Sequence, residues 1–331
     1  MMNLLALPLL LMATAAAPYH EGMRPVMGTF ARVQIAGEGD GIRLAADAAL
    51  DEIERLDRVL SHYKPESDLS RLNATGGEAA VVVVRDLYRV LERSLHFYRI
   101  SDGAFDVTVA PLVRLWKKRA QPPQGEELQQ VRDAVGSDLV RLDGDRHTVR
   151  YNGRDVEIEL GAIGKGYAVD CAVEVLRTHH VSSAVIDLGR TLYCMGSPVT
   201  GDGWPVGIAH PLDPEAVAGV VRLINKAVST SGNYESPHTV AGKRVGHIID
   251  PRTGHPVANQ VLSVTVVCDD ATSADALSTA VFVLGVERGM RLIDRVPGVE
   301  GIIFYRAKDN GYGHRASNGF DAEWVDDQFA R

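Results

Sequence analysis

Alternating and helix-spaced apolar residues predict a mixture of strands and helices. In "TFARVQIA" (29–36) Ala31, Val33 and Ile35 alternate with other residues, which predicts a half-buried strand. Over 42–61 the apolar residues recur at helical spacing, which predicts an amphipathic helix. The polar stretch 61–77 predicts a loop, and "AAVVVVRD" (79–86) a strand with a helix soon after it.

The rest of the chain continues the mixture without a regular alternation of strand and helix. Strands are predicted at 156–160, 182–189, 204–211, 217–223, 226–232, 261–267 and 298–306. Helices are predicted after "GAIGKG", where Ala168, Cys171, Ala172 and Val175 share a face, after 271, and near 286–295. No long linker divides the chain. We therefore expect an α+β fold, a single catalytic unit over 18–331 with mixed, mostly antiparallel sheet and flanking helices.

Composition and charge fit an ordinary soluble globular protein. The chain has 331 residues, a net charge of −8, and no basic tract longer than "KKR" at 117–119. Nucleic acid is therefore not an expected partner. None of the three cysteines (Cys171, Cys194, Cys268) forms a C-x-x-C pair, so a zinc site is not indicated, and at most one disulfide is possible.

The N-terminus has the pattern of a secretory signal. "MMNLLALPLLLMATAAA" is uncharged and apolar, and it ends in small residues with A-x-A sites that close at Ala15 and Ala17. No cysteine lies near these sites, so lipid attachment is not indicated. We expect residues 1–17 to be a signal peptide and the protein to be periplasmic. Contact with a membrane is then expected only through a partner or an uncleaved N-terminus.

Asp275 and Thr279 lie four residues apart at the start of a predicted helix, so both oxygen-bearing side chains share one face. One interpretation is structural: Thr272 and Asp275 fit a capping box, and Thr279 bonds back to the preceding turn. The other is a shared ligand. The spacing alone does not decide between them.

Four other stretches carry candidate chemistry. In "ELGAIGKGYAVD" (159–170) a glycine-rich turn leads into a helix that begins near Lys165; this pattern is typical either of an anion site or of a tight turn. In "GHIIDPRTGHP" (246–256) His247 precedes a turn, and its role is open. Asp106 and Thr108 would share one face of an extended segment. "STSGNYE" (229–235) is small and polar enough to line a ligand. Hydrolase elbows and H-E-x-x-H zinc motifs are missing from the sequence.

Taken in order, these blocks resemble the ApbE-type FAD:protein FMN transferases. The resemblance rests on 27–30, 61–73, 103–116, 159–170, 229–235, 247–256 and 263–285. It implies that FAD crosses the site, contacting Met27, Tyr63, Ala104, Phe105, Asp106, Glu159, Lys165 and Ile249. It also implies a Mg²⁺ ion held by Asp275, Thr279 and the backbone carbonyl of Ala162.

The reaction implied by the resemblance is transfer of FMN from FAD to a threonine or serine hydroxyl of an acceptor protein, with release of AMP. The expected acceptor is an exported electron-transfer protein, such as a subunit of a redox complex. The base would be Asp275 or His247. A Mg²⁺-dependent FAD pyrophosphatase and a non-catalytic FAD-binding protein are the alternatives. Two positions depart from the family pattern: Arg190–Thr191 replaces Gly followed by Asn or Asp, and Gly246 replaces the first of two histidines.

Overall fold

The computed structural model describes residues 19–117, 121–198, 201–213, 216–232, 238–240, 243–307 and 311–325. The predicted signal segment, 1–17, lies outside these residues. The helices are α1 Asp40–Leu60, α2 Asp68–Thr75, α3 Arg85–Ile100, α4 Ala110–Lys117, α5 Gly125–Arg132, α6 Gly164–Thr178, α7 Ala271–Leu284 and α8 Val286–Arg295. The strands are β1 Tyr19–Val26, β2 Thr29–Ala36, β3 Val81–Val82, β4 Val140–Asp143, β5 Thr148–Tyr151, β6 Ala184–Leu188, β7 Thr191–Met195, β8 Trp204–Ala209, β9 Val217–Leu223, β10 Lys226–Gly232, β11 His238–Val240, β12 Lys243–Val245, β13 Ile249–Asp250, β14 His255–Pro256, β15 Val261–Cys268, β16 Glu300–Arg306, β17 Tyr312–Ala316 and β18 Glu323–Trp324.

The centre of the fold is a sheet in the order β1-β2-β6-β7-β10-β15-β16-β17. Every neighbouring pair in it is antiparallel. Helices α1, α6 and α7 pack on this sheet, and α6 also packs against both α1 and α7. The expected α+β class with mostly antiparallel sheet is therefore confirmed.

The two faces of the central sheet are covered differently. On β6, Ala184 and Ile186 belong to the core shared with the helices, whereas Val185 belongs to a second core. That second core is completed by Trp204, Val206 and their neighbours on β8 and β9, part of the small sheet β18-β9-β8. The alternation along one strand thus sorts side chains into a helix-covered face and a sheet-covered face, which gives three layers.

Three local predictions are wrong or incomplete. The stretch 61–77 contains α2, because Ser67 caps the helix through the Ser70 N–H at 2.9 Å and both Leu69 and Leu72 are fully buried. The predicted strand at 79–86 shrinks to Val81–Val82, and α3 begins at Arg85. The stretch 156–160 is not a strand.

The backbone of 156–160 is satisfied by a side chain instead of a neighbouring strand. Asn73 donates to the Ile158 carbonyl and accepts from the Ile158 N–H, each at 2.9 Å. The Glu159 N–H donates to the Val107 carbonyl at 2.7 Å. These hydrogen bonds take the place of those that a neighbouring strand would make. The segment therefore keeps its alternating apolar side chains although it belongs to no sheet.

The three thiols are free, with Cys194 and Cys268 buried and Cys171 half-buried. Burial raises the pKa of the Cys171 thiol to about 12 and raises those of Cys194 and Cys268 too. Cys194 and Cys268 are therefore interior side chains, and burial disfavours the thiolate form of all three. Within the described ranges, no helix is long and apolar enough to cross a membrane.

Candidate active site

The glycine-rich turn leads into α6, and Lys165 lies in the first turn of that helix. The N–H groups of Ile163 and Gly164 both bond to the Leu160 carbonyl, which closes the turn. Lys165 Nζ donates to the Gly161 carbonyl at 2.6 Å and lies 3.5 Å from Asp275 Oδ1. The predicted helix start is confirmed. The amino group and the positive end of α6 lie side by side, which is a favourable place for an anion.

Asp275 comes from α7 and reaches the first turn of α6. Its side chain is almost fully buried, and Oδ2 accepts the Gly166 N–H at 3.0 Å. That N–H is one of the first few in α6 that the helix itself cannot satisfy. Asp275 therefore serves as a capping carboxylate for a different helix from its own.

The capping box proposed for Thr272 and Asp275 is wrong. The N-cap of α7 is Asp270, whose Oδ1 accepts the Ser273 N–H at 2.8 Å. Thr272 lies inside the helix and donates from both its N–H and its hydroxyl to Asp170. Asp275 is thus not used by its own helix terminus, and its carboxylate is available to the neighbouring one.

Helices α6 and α7 cap each other where they cross. Asp170 of α6 accepts the Ala271 N–H at 2.7 Å and the Thr272 N–H at 2.9 Å, while Asp275 of α7 accepts from Gly166. Burial raises the pKa of the Asp170 carboxyl to about 6. The backbones come so close that a Cβ on Gly166 would lie 2.2 Å from the Ala271 carbonyl oxygen. Glycine is therefore required at 166.

Three hydroxyl groups, those of Ser231, Ser278 and Thr279, lie close to one another beside Asp275. Ser231, near the end of β10, lies 2.9 Å from Ser278 Oγ and 3.3 Å from Thr279 Oγ1. Ser278 is fully buried, and its Oγ donates to the Asp275 carbonyl at 2.9 Å. Ser231 belongs to the small polar stretch 229–235 noted in the sequence; residues 233–235 of that stretch lie outside the described residues. Nothing in the sequence pointed to Ser278 or Asp170, which the fold brings in from another helical turn and another helix.

The donor set fits a magnesium ion. Asp275 and Thr279 offer one carboxylate and one neutral oxygen from successive turns of α7, and Ala162 lies in the turn before α6. Among the described residues, no group of three or more His, Cys, Asp or Glu side chains could hold a metal. A cation here would therefore rely on one carboxylate, neutral oxygens and ligand oxygens, which suits Mg²⁺ with a bound phosphate.

Tyr63 and Glu159 lie on the approach to the glycine-rich turn. The Tyr63 side chain is 72% exposed, with its ring centroid 3.8 Å from that of His62 and its hydroxyl 3.5 Å from Lys117 Nζ. Burial lowers the pKa of His62, which the charge of Glu159 opposes. A Cβ on Gly161 would come within 2.6 Å of Glu159 Oε1, so that carboxylate lies over the turn. An exposed ring beside charged groups is suited to stacking on a planar ligand.

The stretch Ala104–Phe105–Asp106 is buried. Ala104 and Phe105 are each 1% exposed, so neither residue is open to a ligand in this structure. Asp106 is bonded within the protein: its carboxylate accepts from Thr108 at both N–H and hydroxyl, and from Ser137 at both N–H and hydroxyl. Thr108 is close because a 3₁₀ turn follows Asp106, not because the segment is extended. Burial raises the pKa of Asp106.

Met27 and Arg190 occupy two hairpin turns at the same end of the sheet. Met27–Gly28 joins β1 to β2 and Gly189–Arg190 joins β6 to β7; φ is positive at all four residues, which is typical of type I′ turns. Because β2 pairs with β6, the turns are neighbours, and Gly189 faces Thr29. The Arg190 carbonyl accepts the Thr230 N–H, and the Thr191 hydroxyl bonds to Ser229. The departure at 190–191 is therefore accommodated by the hairpin.

Ile249 and His247 lie before the "DPRTG" turn. Ile249 is buried in β13 with Leu112, Trp116 and Leu128, and Trp116 Nε1 donates to the Gly254 carbonyl. His247 is half-buried in the bend before β13. The nucleotide contact of Ile249 and the base role of His247 remain predictions, as do the roles of the other candidate residues. What the structure brings together is Lys165, Asp275 and Thr279, with Ser231 added.

Comparison with known proteins gives a consistent result. The ApbE family model matches residues 27–303. The chain is 36% identical over 307 residues to an FAD:protein FMN transferase of Treponema pallidum, covering 86% of this chain and 83% of the relative. It is 32% identical to the FAD:protein FMN transferase of Escherichia coli K12, with the same shares covered.

Solved structures agree with the sequence comparison. The flavin transferase ApbE from Vibrio cholerae matches with a TM-score of 0.82 and 28% identity, over 92% of this chain and 99% of that one. The ApbE protein of Thermotoga maritima matches with a TM-score of 0.82 and 30% identity, over 91% of this chain and 97% of the other. Since the family model spans most of the chain and close relatives cover more than four-fifths of it, this protein belongs to the ApbE family.

Proposed function

We propose that this protein is an FAD:protein FMN transferase that uses Mg²⁺ to move FMN from FAD onto a threonine or serine hydroxyl of an acceptor protein. The observation that carries the proposal is the meeting of Lys165 and Asp275 at the first turn of α6, with Thr279 one helical turn beyond Asp275 on α7. The activity named for its relatives is flavin transfer between FAD and a protein. A site that combines a cationic helix end with hard oxygen donors suits a pyrophosphate, which is the bond that FMN transfer from FAD must break.

The proposed chemistry is one displacement at phosphorus. The acceptor hydroxyl oxygen bonds to the FMN-side phosphorus, the bridging P–O bond breaks, AMP leaves with the bridging oxygen, and the hydroxyl proton passes to a base. Lys165 and the first turn of α6 hold the negative charge of the pyrophosphate. Asp275, Thr279 and the Ala162 carbonyl would hold Mg²⁺, which neutralises charge on the phosphates and fixes their geometry.

The base in this proposal is His247 and not Asp275. One Asp275 oxygen already accepts the Gly166 N–H, and the other faces Lys165. Both carboxylate oxygens are thus already engaged, and we assign Asp275 to the cation. His247 is the remaining candidate from the sequence, and imidazole takes up protons near neutral pH.

Incubation with FAD, Mg²⁺ and a candidate acceptor tests the activity. Covalent flavin fluorescence on the acceptor, together with AMP, is the expected result, and it should vanish when the acceptor threonine is changed to valine. Free FMN and AMP with an unlabelled acceptor would instead indicate a pyrophosphatase. FAD binding without any product would indicate a carrier protein. Either outcome contradicts the transferase proposal.

We also propose that the protein acts in the periplasm on an exported redox protein, supported by the apolar, uncharged segment 1–17. Mass spectrometry of the protein from the cell envelope should find a chain beginning after Ala15 or Ala17. A chain that retains Met1 or Met2 would contradict this.

A further inference from the structure

Three hydroxyl groups beside Asp275 form a connected set. Ser278 Oγ lies 2.9 Å from the Asp275 main-chain carbonyl, Ser231 Oγ lies 2.9 Å from Ser278 Oγ, and Thr279 Oγ1 lies 3.3 Å from Ser231 Oγ. One end of the set is a carbonyl, which only accepts. The other end is Thr279, which belongs to the metal site proposed above.

The carbonyl fixes the direction of every bond in the set. A hydroxyl has one proton to donate. Ser278 gives its proton to the Asp275 carbonyl, so the contact between Ser278 and Ser231 is a bond only if Ser231 donates. The Ser231 proton is then committed as well, and the remaining contact is a bond only if Thr279 donates to Ser231.

We infer that Ser231 and Ser278 are positioning residues that hold the Thr279 proton away from the metal site and leave its lone pairs as the ligand. The inference rests on the proposed function, since it concerns the same site. With its proton fixed, Thr279 meets the cation as an acceptor only. A freely rotating hydroxyl would have to be reoriented on binding.

The fold also links the two ligands through this set. The carbonyl that anchors the hydroxyls and the carboxylate that faces Lys165 belong to the same residue, Asp275. Ser231 comes from β10, so the sheet supplies the acceptor for a helix side chain. The orientation of Thr279 is thereby tied to the position of Asp275, which is a form of preorganisation.

Metal binding without turnover tests this inference. Mn²⁺ serves as a paramagnetic substitute for Mg²⁺, and the fall in its free EPR signal measures affinity, with and without FAD and with no acceptor present. Ser231→Ala should weaken Mn²⁺ binding about three- to tenfold, the effect of one hydrogen bond. Ser231→Thr, which keeps the hydroxyl, should restore it.

A matched control comes from the same strand. Thr230 bonds to the Thr265 hydroxyl at 2.9 Å and points to the opposite face of β10. Thr230→Val also breaks a hydrogen bond between two hydroxyl groups, and it should leave Mn²⁺ affinity unchanged. Thermal melting in EDTA identifies any variant whose loss of binding follows a loss of stability.

The outcomes separate this inference from the proposal beneath it. If Asp275→Asn abolishes Mn²⁺ binding and Ser231→Ala binds like the wild type, the positioning role is wrong and the metal site stands. If Asp275→Asn does not change Mn²⁺ binding, both are wrong. Weaker binding in Ser231→Ala, with normal melting and rescue by threonine, supports the positioning role.

Discussion

At the scale of single residues, the Asp275 carboxylate has both a structural role and a proposed metal-binding role. Asp275 caps α6 through Gly166, faces Lys165, and precedes Thr279 by one helical turn. Its substitution therefore separates a structural role from a metal-binding one, because the first needs an acceptor oxygen and the second needs a negative charge.

Asp275→Asn should reduce activity strongly at low Mg²⁺, and high Mg²⁺ should restore part of it. The amide keeps an oxygen for the Gly166 N–H but loses the charge that holds the cation. Thr279→Ser is the matched control, since it retains the hydroxyl and should have a much smaller effect. The assay measures turnover as a function of Mg²⁺ concentration, and thermal melting of each variant checks its stability. Normal activity of Asp275→Asn at low Mg²⁺ would remove Asp275 from the metal site.

Lys165→Ala should weaken FAD binding more than it slows the reaction of bound FAD. In the proposed mechanism the amino group meets phosphate both before and during the reaction, so its loss should affect binding and transition state alike. Lys226→Ala removes a surface lysine paired with Asp269 and is the control. Fluorescence titration and single-turnover kinetics measure the two steps. An unchanged FAD affinity with collapsed turnover would contradict this role.

At the scale of elements, the site depends on a close approach of two helix backbones at Gly166 and Ala271. Gly166 allows the approach, and the Asp170 and Asp275 carboxylates hold it from both sides. The geometry of Lys165 and Asp275 is therefore set by a backbone contact, and disturbing that contact should disturb the site.

Gly166→Ala should destabilise the protein by a few kcal/mol and reduce FAD transfer, because the added Cβ would lie 2.2 Å from the Ala271 oxygen. Gly164→Ala is a matched control in the same turn. Its Cβ would lie 3.6 Å from Leu160 Cβ, an ordinary contact, and alanine favours a helix. Urea unfolding and activity of both variants measure the difference. Equal stability and equal activity of the two variants would show that α6 and α7 can move apart at their crossing without loss.

The elements themselves were largely predictable from the sequence, whereas their crossing was not. Strong periodicity predicted α1 and β2, because the burial of those elements follows a regular repeat. The predicted capping box at Thr272 and Asp275 was wrong because Asp270 and Ser273 offer the same capping groups two residues earlier. The sequence pattern does not show which of the two pairs forms the cap. The strand at 156–160 failed because Asn73 satisfies its backbone from a distant helix.

The candidate site was predictable only where neighbours in sequence are also neighbours in space. Asp275 and Thr279 share a helix face, and Lys165 follows a glycine turn, so both features are visible in a short stretch. Ser231, Gly166 and Asp170 act through residues about 50 to 110 positions away. Their partners depend on the packing of α7 against α6 and against β10, which no local sequence pattern shows.

At the scale of the whole molecule, a half-buried carboxyl group in the central sheet makes stability depend on pH. Asp187 lies on β6 opposite Arg32 of β2. Burial raises the pKa of the Asp187 carboxyl from 3.8 to about 6, although the charges of Arg32 and Arg190 oppose the change. Between these two values the folded protein binds a proton that the unfolded chain does not.

The contribution of Asp187 to stability should therefore fall as the pH rises from about 4 to 6, by on the order of 2 kcal/mol at about 1.4 kcal/mol per pKa unit. Asp187→Asn removes the titrating group, so the free energy of unfolding of the wild type minus that of the variant should decrease across this range. Urea unfolding at several pH values measures it. Parallel pH profiles of the two proteins would contradict the prediction.

The contact between Gly166 and Asp275 joins residues 109 positions apart. It therefore cannot form until the last part of the chain has been made and α7 has reached the sheet. A chain that ends before residue 275 has the glycine-rich turn and Lys165, yet it lacks the carboxylate and the hydroxyls of α7. Closing so long a loop is slow, and it follows the formation of local structure. The proposed site is therefore incomplete in any chain that lacks α7, so a nascent chain cannot present it until residues 271–284 have been made.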